Sequence, residues 1–303
     1  MADRPQNTFS GYLCATAATA LWSGNFIIAR GLHESIPPIS LAFWRWVVAV
    51  LVFLPFAWKP LVAERHILKK HLPYLVITAL LGITIFNTLI YFAGQTTTAI
   101  NLSLISITFP IFIAILVRFL FGELFTLNKI IGITLVVTGV VFLVTGGELN
   151  KLLKISFAIG DLWMLCAAII FAVYSILLKH KPPQLSIWAL QLSTFILGLI
   201  GLFPFFIWER AVMPPIVYNP KIVGSIVYVG VFASLAAFVF WHKAIAAVGP
   251  AKAAMIYYTL PLFSGLLAYL LLGEAISTLH FYCLVLIIAG IVTTNYKQQT
   301  ASR

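Results

Sequence analysis

The sequence predicts an all-α membrane protein with ten transmembrane helices, arranged as two inverted five-helix repeats. Three observations predict this fold. Of the 303 residues, 62% are apolar or aromatic and 9% are charged, with a mean hydropathy of +1.05; a soluble domain carries about 25% charged residues. Ten apolar runs are long enough to span a bilayer. A set of short motifs also recurs in the second half of the chain at a nearly constant spacing.

The apolar runs define the helices. A membrane helix needs about 20 apolar residues, and continuous runs without period-two alternation exclude a β-barrel. Short connectors that contain Pro, Gly or charged residues separate the runs. We expect spans near 11–30, 39–58, 72–93, 98–118, 126–145, 159–178, 186–208, 222–246, 250–272 and 277–296.

The repeated motifs divide these spans into two equal sets. The motifs that lie 151 residues apart are Phe109-Pro110 with Leu260-Pro261, Gly122-Glu123 with Gly273-Glu274, and Gly139 with Gly290. Those that lie 149 residues apart are Gly11 with Gly160 and Pro55-Phe56 with Pro204-Phe205. The spacing changes from 149 to 151 residues if the second half of the chain is two residues longer at a point between these two sets of motifs. We therefore expect one repeat at 11–145 and a second at 159–296.

The odd number of spans in each repeat predicts that the second repeat enters the membrane from the opposite side, as in many secondary transporters. When Arg45 is left out, Lys and Arg in the connectors and at the ends of the spans number thirteen on the side that holds both termini and five on the other side. The positive-inside rule then places both termini in the cytoplasm. The same rule accounts for the net charge of +11, so we expect no nucleic-acid partner.

Several motifs resemble those of the drug/metabolite transporter superfamily, and within it the EamA-type transporters. They are the early stretch 20–26, the run Arg45 to Leu54, and the paired stretches Pro110 to Glu123 and Pro261 to Glu274. The resemblance implies a carrier of the bacterial inner membrane with a central cavity between its halves. Such carriers commonly export amino acids, other small metabolites or toxic compounds, and some import. One departure is Thr259, because many members carry Glu just before this proline.

The prolines and glutamates of the paired stretches are candidates for helix shaping and gating. Pro110 and Pro261 are expected to kink spans four and nine, because proline removes a backbone donor and clashes one turn back. These kinks either serve packing alone or also shape the site. Glu123 and Glu274 follow glycines that suit helix caps. A gating role is the alternative, with Glu274 on the outer face and Glu123 on the inner face.

Arg45 and His242 are the candidates for gating or coupling. Arg45 is the one strong cation well inside a span, and a charge at this depth suggests function. Either it binds substrate or gates, or it anchors the fold by snorkelling outward or pairing with Glu34 or Glu274. His242 either carries coupling protons near neutral pH or is simply packed.

Polar and aromatic residues near the middle of the spans are the candidates for substrate binding. Such residues also serve as hydrogen bonds between helices, worth about 0.6 kcal/mol on average. Within the set, Asn25, Asn87 and Tyr258 are those we most expect to face a cavity. Tyrosine and tryptophan rings suit an amphipathic or cationic guest. The candidates are Trp22, Asn25, Asn87, Tyr91, Ser106, Tyr174, Trp241, Tyr257 and Tyr258.

The sequence also lacks several groups. No Asp or Glu lies in the middle of a span, which favours a neutral, zwitterionic or weakly charged substrate. The three cysteines share no metal-ligand spacing, and no hydrolase, metalloprotease or phosphate-binding motif is present. We therefore expect no metal, no cofactor and no enzymatic activity.

Together these features predict a secondary-active transporter that exports small amino-acid-like metabolites or drug-like compounds by alternating access. A passive channel or sensor and an importer are the alternatives. Its partners are the lipid bilayer and a small-molecule substrate, and protons are a candidate coupling ion. We expect a monomer or a weak homodimer in the inner membrane.

Overall fold

The computed structural model describes residues 8–97, 102, 105–106, 108–122, 126–145, 159–260, 262–264, 267 and 278–295. All regular structure in these ranges is helical, which confirms the predicted all-α membrane class. Pro261, Glu123 and Glu274 lie outside the described residues. Within the described ranges, six helical stretches are long and apolar enough to cross a membrane: Thr8–Gly31, Pro38–Ala63, Leu72–Thr96, Ile159–Lys179, Ile187–Val212 and Pro220–Val248.

The helices follow the predicted apolar runs closely. Two of the long stretches, Leu72–Thr96 and Pro220–Val248, are interrupted by a π-helical segment. The described helices are α1 (Thr8–Gly31), α2 (Pro38–Ala63), α3 (Arg65–Lys70), α4 (Leu72–Ala79), the first π segment (Leu80–Ile85), α5 (Phe86–Thr96), α6 (Phe109–Phe121), α7 (Leu127–Thr145), α8 (Ile159–Lys179), α9 (Ile187–Val212), α10 (Pro220–Tyr228), the second π segment (Val229–Ala236), α11 (Ala237–Val248), α12 (Pro250–Tyr257) and α13 (Thr278–Asn295).

The main helix pairs each join the first half of the chain to the second. Helix α2 packs on α9, α1 on α11, α5 on α8, and α7 on α13. Buried alanine, phenylalanine and tryptophan side chains fill the space between most of these helices. Helices of the two halves therefore alternate in the bundle, and the halves do not form two separate units.

Helices α2 and α9 cap each other's N-termini. The Glu209 carboxylate near the end of α9 accepts hydrogen bonds from the Ile39 amide (2.9 Å), the Ser40 amide (2.6 Å) and the Ser40 hydroxyl (2.7 Å). At the opposite end, Glu64 accepts a hydrogen bond from the Ser186 amide at 2.7 Å. A carboxylate at a helix N-terminus satisfies orphan amides and is favoured by the helix dipole. The two caps fix the pair as antiparallel.

The connector from α8 to α9 is held by Lys181. Its ammonium group donates to the carbonyls of Pro182, at 3.1 Å, and Leu185. Burial lowers the pKa of Lys181, and the nearby Glu64 carboxylate acts in the opposite direction. The lysine therefore holds the connector that leads to the capped start of α9.

The sequence predicted that Pro110 kinks a continuous helix. In the structure the chain instead turns at Thr108, and α6 begins at Phe109. Proline is tolerated in the first turn, where its missing donor would be unpaired anyway. The Thr108 hydroxyl donates to the Ile105 carbonyl at 2.7 Å. Thr259, which lies 151 residues later, makes the same bond to Ile256 at 2.7 Å.

The π segments are the other irregularity. They begin at Leu80 and Val229, 149 residues apart, and the helices that follow them begin at Phe86 and Ala237, 151 residues apart. The second segment has eight residues and the first has six. The two-residue difference between the two motif spacings therefore arises in the π segments, and π-bulges often lie at functional sites.

Glycine allows the close packing of α7 on α13. A Cβ at Gly290 would lie 2.6 Å from the Gly132 carbonyl oxygen and 2.9 Å from the Val136 amide nitrogen. Small residues at such contacts are a common means of helix association in membranes.

We expect Gly290→Ala to lower the free energy of unfolding by about 1–3 kcal/mol, because the backbone of α7 must move away. The measurement is the thermal unfolding midpoint of the purified protein in detergent. Gly224→Ala is the matched control, since a Cβ there meets nothing within 4 Å. Equal midpoints for the two variants would contradict the close packing.

Candidate functional site

Arg45 is the centre of a buried polar cluster. Its side chain has no exposed surface. The guanidinium donates from Nε to the Ser234 hydroxyl at 2.6 Å and from Nη1 to the Tyr91 hydroxyl at 2.7 Å. It also donates to Asn25 Oδ1 and to the Ala233 carbonyl oxygen, each at 3.3 Å. The Tyr91 hydroxyl in turn donates to Asn25 Oδ1 at 2.9 Å. The cluster thus joins α1, α2, α5 and the second π segment.

The second π segment supplies two of the four acceptors of Arg45, the Ser234 hydroxyl and the Ala233 carbonyl. Its wider turn changes the pairing of the backbone, and the Ala233 carbonyl accepts from the Trp22 indole (2.9 Å) as well as from Arg45. The Ser234 hydroxyl donates to the Val229 carbonyl at 2.7 Å, which directs its lone pairs toward the guanidinium. Gly230 lets this segment approach α2, because a Cβ there would lie 2.9 Å from the Arg45 carbonyl oxygen.

The positive charge of Arg45 meets only neutral acceptors in the described part of the chain. The carboxylates of Glu64 and Glu209 cap helix ends, and that of Asp161 bonds Thr97. Glu34, one of the two glutamates considered as a partner of Arg45, instead lies 3.6 Å from His33 with its side chain 86% exposed. The alternatives of pairing with Glu34 and of snorkelling outward are therefore wrong, because the side chain faces the bundle interior.

Aromatic rings add to the environment of the charge. The guanidinium carbon lies 5.1 Å from the centre of the Trp46 ring and 5.6 Å from that of Tyr91. Both distances fall within the range of cation–π attraction, about 6 Å. The rings stabilise the cation partly, but they do not neutralise it.

A second polar pair lies toward the opposite end of the helix bundle. The Tyr174 hydroxyl on α8 lies 2.6 Å from His242 Nε2 on α11. Among the residues that the structure describes, His242 Nδ1 finds no hydrogen-bond partner, and neither does the side-chain amide of Gln191, which is fully buried. Asn25 and Tyr174 are 149 residues apart, while Tyr91 and His242 are 151 apart. These are the two spacings of the repeated motifs.

A cluster of aromatic side chains separates the two polar pairs. The Trp22 ring centre lies 5.3 Å from that of Trp241, 5.4 Å from Phe171 and 6.1 Å from Tyr257. The Tyr257 hydroxyl hydrogen-bonds the Ser106 side chain. All these residues are buried. The aromatic layer therefore lies between the Arg45 cluster and the Tyr174–His242 pair inside the helix bundle.

The comparisons with known proteins identify the family. The family model described as "EamA-like transporter family" matches residues 9–145 and again residues 158–296. The chain belongs to the EamA-like transporter family. It is accordingly a multi-pass integral membrane transporter.

Relatives of this EamA-like transporter cover nearly its whole length. An "uncharacterized transporter" of Archaeoglobus fulgidus is 29% identical over 296 residues, which cover 95% of this chain and 98% of the relative. "Uncharacterized transporter YetK" of Bacillus subtilis is 24% identical over 95% of this chain and 87% of its own length. A solved structure titled "Crystal structure of protein" has a TM-score of 0.76 and 19% identity, covering 97% of this chain and 99% of its own. That likeness shows a shared fold.

The structure brings most of the predicted site residues of this EamA-like transporter together. Asn25 and Tyr91 bond Arg45, and Tyr174 bonds His242. The aromatic layer between these two pairs contains Trp22, Trp241 and Tyr257, with Ser106 bonded to Tyr257.

Two predicted residues lie elsewhere. The Asn87 side chain donates to the Gly82 carbonyl of the first π segment at 3.1 Å, so it serves its own helix. Tyr258 packs in a separate apolar cluster with Val136, Met255 and Ile287. The expectation that these two would be the foremost cavity residues finds no support in this placement.

Three groups of the site escaped the sequence analysis. Ser234 and the Ala233 carbonyl lie in an apolar run whose π geometry has no sequence signature apart from the two-residue length difference. Gln191 is the third, and it was missed because a lone glutamine near a helix start resembles a connector residue.

Proposed function

We propose that this EamA-like transporter is a secondary-active carrier that exports a small, amino-acid-like metabolite by alternating access. The observation that carries the proposal is the fully buried Arg45 guanidinium, whose acceptors within the described ranges are all neutral. A buried cation is costly unless a ligand or partner compensates it. A substrate carboxylate supplies that compensation.

The geometry explains how such a substrate would be bound. The four acceptors of Arg45 are neutral, and a carboxylate competes with them because charge-assisted hydrogen bonds are roughly twice as strong. The apolar or amino end of the substrate would rest on the rings of Trp22, Trp241 and Tyr257, whose faces attract apolar and cationic groups. The residues thus suit a zwitterion with an apolar side chain.

The proposal includes the ten-helix inverted repeat, with repeats at 11–145 and 159–296. Three features support it: the family model matches the chain twice, the Thr108 and Thr259 turns have the same hydrogen bonds, and the main helix pairs join the halves reciprocally. In that arrangement the Arg45 cluster lies toward the outer surface and the His242 pair toward the cytoplasm. Both termini are cytoplasmic, and a monomer contains the whole path.

Counterflow in proteoliposomes tests the proposal. Vesicles are preloaded with a mixed pool of amino acids, small amines and nucleosides, and the uptake of each labelled member is followed. Saturable uptake that is faster when the inside holds the same compound indicates a carrier. Uptake that is indifferent to internal substrate would indicate a channel instead, and the absence of exchange by folded protein would contradict the proposed substrate class.

Protons are the coupling ion that we propose, with His242 as their carrier. Its Nδ1 is unpartnered and its Nε2 is held by Tyr174, so the ring is positioned and has a free nitrogen. Tyr174 is the titratable group that contacts the His242 ring. Lys181, in the connector between α8 and α9, is a charged group that interacts with the ring electrostatically. Histidine titrates near neutral pH in water, so we expect the ring to take up its proton in the conformation that opens this end of the path to water.

We expect His242→Gln to retain exchange but to lose accumulation driven by a pH gradient. Glutamine can still bond Tyr174 but cannot carry a proton. The measurement compares counterflow with gradient-driven uptake in the same vesicles, and Lys243→Gln on the exposed side of α11 is the control. Unchanged gradient-driven accumulation in the His242 variant would refute this role.

A further inference from the structure

A cavity of about 430 Å³ opens at the end of the bundle where α3 lies. It is bounded by the end of α2, by α3, by the start of α4 and by the first half of α9. Its volume falls within the range of small-molecule sites, about 300–1,000 Å³. None of the residues of the Arg45 cluster lines it, so it is separate from the site described above.

The walls of this cavity are apolar and its rim is cationic. Leu75, Ile196 and Leu197 form part of the wall, while Arg65 and Lys69 lie at the rim. Arg65 and Lys69 are four residues apart on α3, so both point to the same side of this short helix. Both are exposed, and within the described ranges neither forms an ion pair. The adjacent Glu64 carboxylate is engaged by the Ser186 amide.

The depth of the cavity suits a lipid rather than a soluble anion. Ser193 to Leu197 lie six to ten residues from the start of α9, which is about 9–15 Å along the helix axis. The cavity thus extends from the level of the cationic rim into the hydrocarbon region. A soluble phosphate would use the rim and leave this apolar depth empty.

We propose that this cavity binds one anionic phospholipid of the cytoplasmic leaflet. Its phosphate lies between Arg65 and Lys69, and one acyl chain lies along Leu75, Ile196 and Leu197. Basic pockets between membrane helices on the cytoplasmic side bind anionic headgroups in this way. Because the lipid contacts both α2 and α9, it adds a tie across the pair that links the two halves. The proposal depends on the proposed orientation and not on the identity of the transported substrate.

The test is a lipid titration of the full chain in neutral detergent, read as the thermal unfolding midpoint. Phosphatidylglycerol is compared with phosphatidylcholine of the same acyl chains. We expect a saturable rise with phosphatidylglycerol alone. In the double variant Arg65→Gln/Lys69→Gln, the concentration for half-saturation should rise roughly tenfold or more. Lys59→Gln/Lys70→Gln is the matched control, because it removes the same charge nearby from residues that do not line the cavity.

A second variant separates the acyl site from the charges. Leu197→Trp fills the apolar part and leaves both cations in place, so it should also abolish the response to phosphatidylglycerol. The midpoints without lipid establish that each variant is folded. An equal response to both lipids, an equal loss in the control pair, or the same stabilisation by soluble glycerol phosphate would each overturn the proposal.

Discussion

Replacing Arg45 with glutamine will abolish carboxylate exchange while leaving the fold as stable as before, or more so. The guanidinium is the only charge in the described cluster, and its bonds go to Ser234, Tyr91, Asn25 and Ala233. Losing a charge-assisted contact to substrate costs about 1.5–3 kcal/mol, and two such contacts lower exchange by at least roughly 100-fold. Removing an uncompensated buried charge also removes its desolvation cost.

The two readouts distinguish the functional role from an anchoring role. Exchange is measured by counterflow, and stability by the unfolding midpoint in detergent. Arg210→Gln is the control, because Arg210 is an arginine near the end of α9 with an exposed hydrogen bond to Pro214. A large fall in the midpoint of the Arg45 variant, with exchange reduced only in proportion to folded protein, would show that Arg45 is a structural anchor.

The Glu209→Ala variant should lose about 3 kcal/mol or more of unfolding free energy. The carboxylate accepts three short hydrogen bonds from Ile39 and Ser40, and Glu209 is 2% exposed. Its loss leaves the first amides of α2 unsatisfied at a buried helix end, and each hydrogen bond to a charged group contributes about 1.5–3 kcal/mol. Because the cap holds α2 against α9, the variant weakens the contact between the halves.

Glu34→Ala is the matched control for this variant. The Glu34 side chain is 86% exposed, so its removal should change stability by less than about 0.5 kcal/mol. The measurement is the thermal or denaturant midpoint in the same detergent. Similar midpoints for the Glu34 and Glu209 variants would contradict the reciprocal capping of α2 and α9.

The membrane class and most helix positions were predictable because hydropathy alone determines them. The stretches Leu72–Thr96 and Pro220–Val248 lie within a few residues of the predicted spans. The interruption at Thr108 was not predictable in this form. A proline in an apolar run indicates either a kink or a new helix start, and the choice depends on the neighbouring packing.

The site was predictable in its residues but not in its contacts. Arg45, Asn25 and Tyr91 are unusual in apolar helices, so the sequence singles them out. The partner Ser234 depends on the π geometry of its segment, which hydropathy does not encode. Pairing with Glu34 was one alternative for Arg45 because charge complementarity is readable from the sequence, whereas the direction in which α2 turns Arg45 is not. Tyr258 was expected at the cavity because the sequence gives the position of a residue along its membrane span. It does not give the direction in which the helix turns that residue.

The central claim is that Arg45 binds the carboxylate of the transported metabolite. The most direct test is competition in counterflow between the amino acid that exchanges best and its own carboxamide, which keeps the size and the amino group but lacks the negative charge. The claim predicts that the carboxamide competes at least roughly 100-fold more weakly with the parent protein. It also predicts that Arg45→Gln removes this difference. Equal competition by the two compounds with the parent protein would contradict the claim.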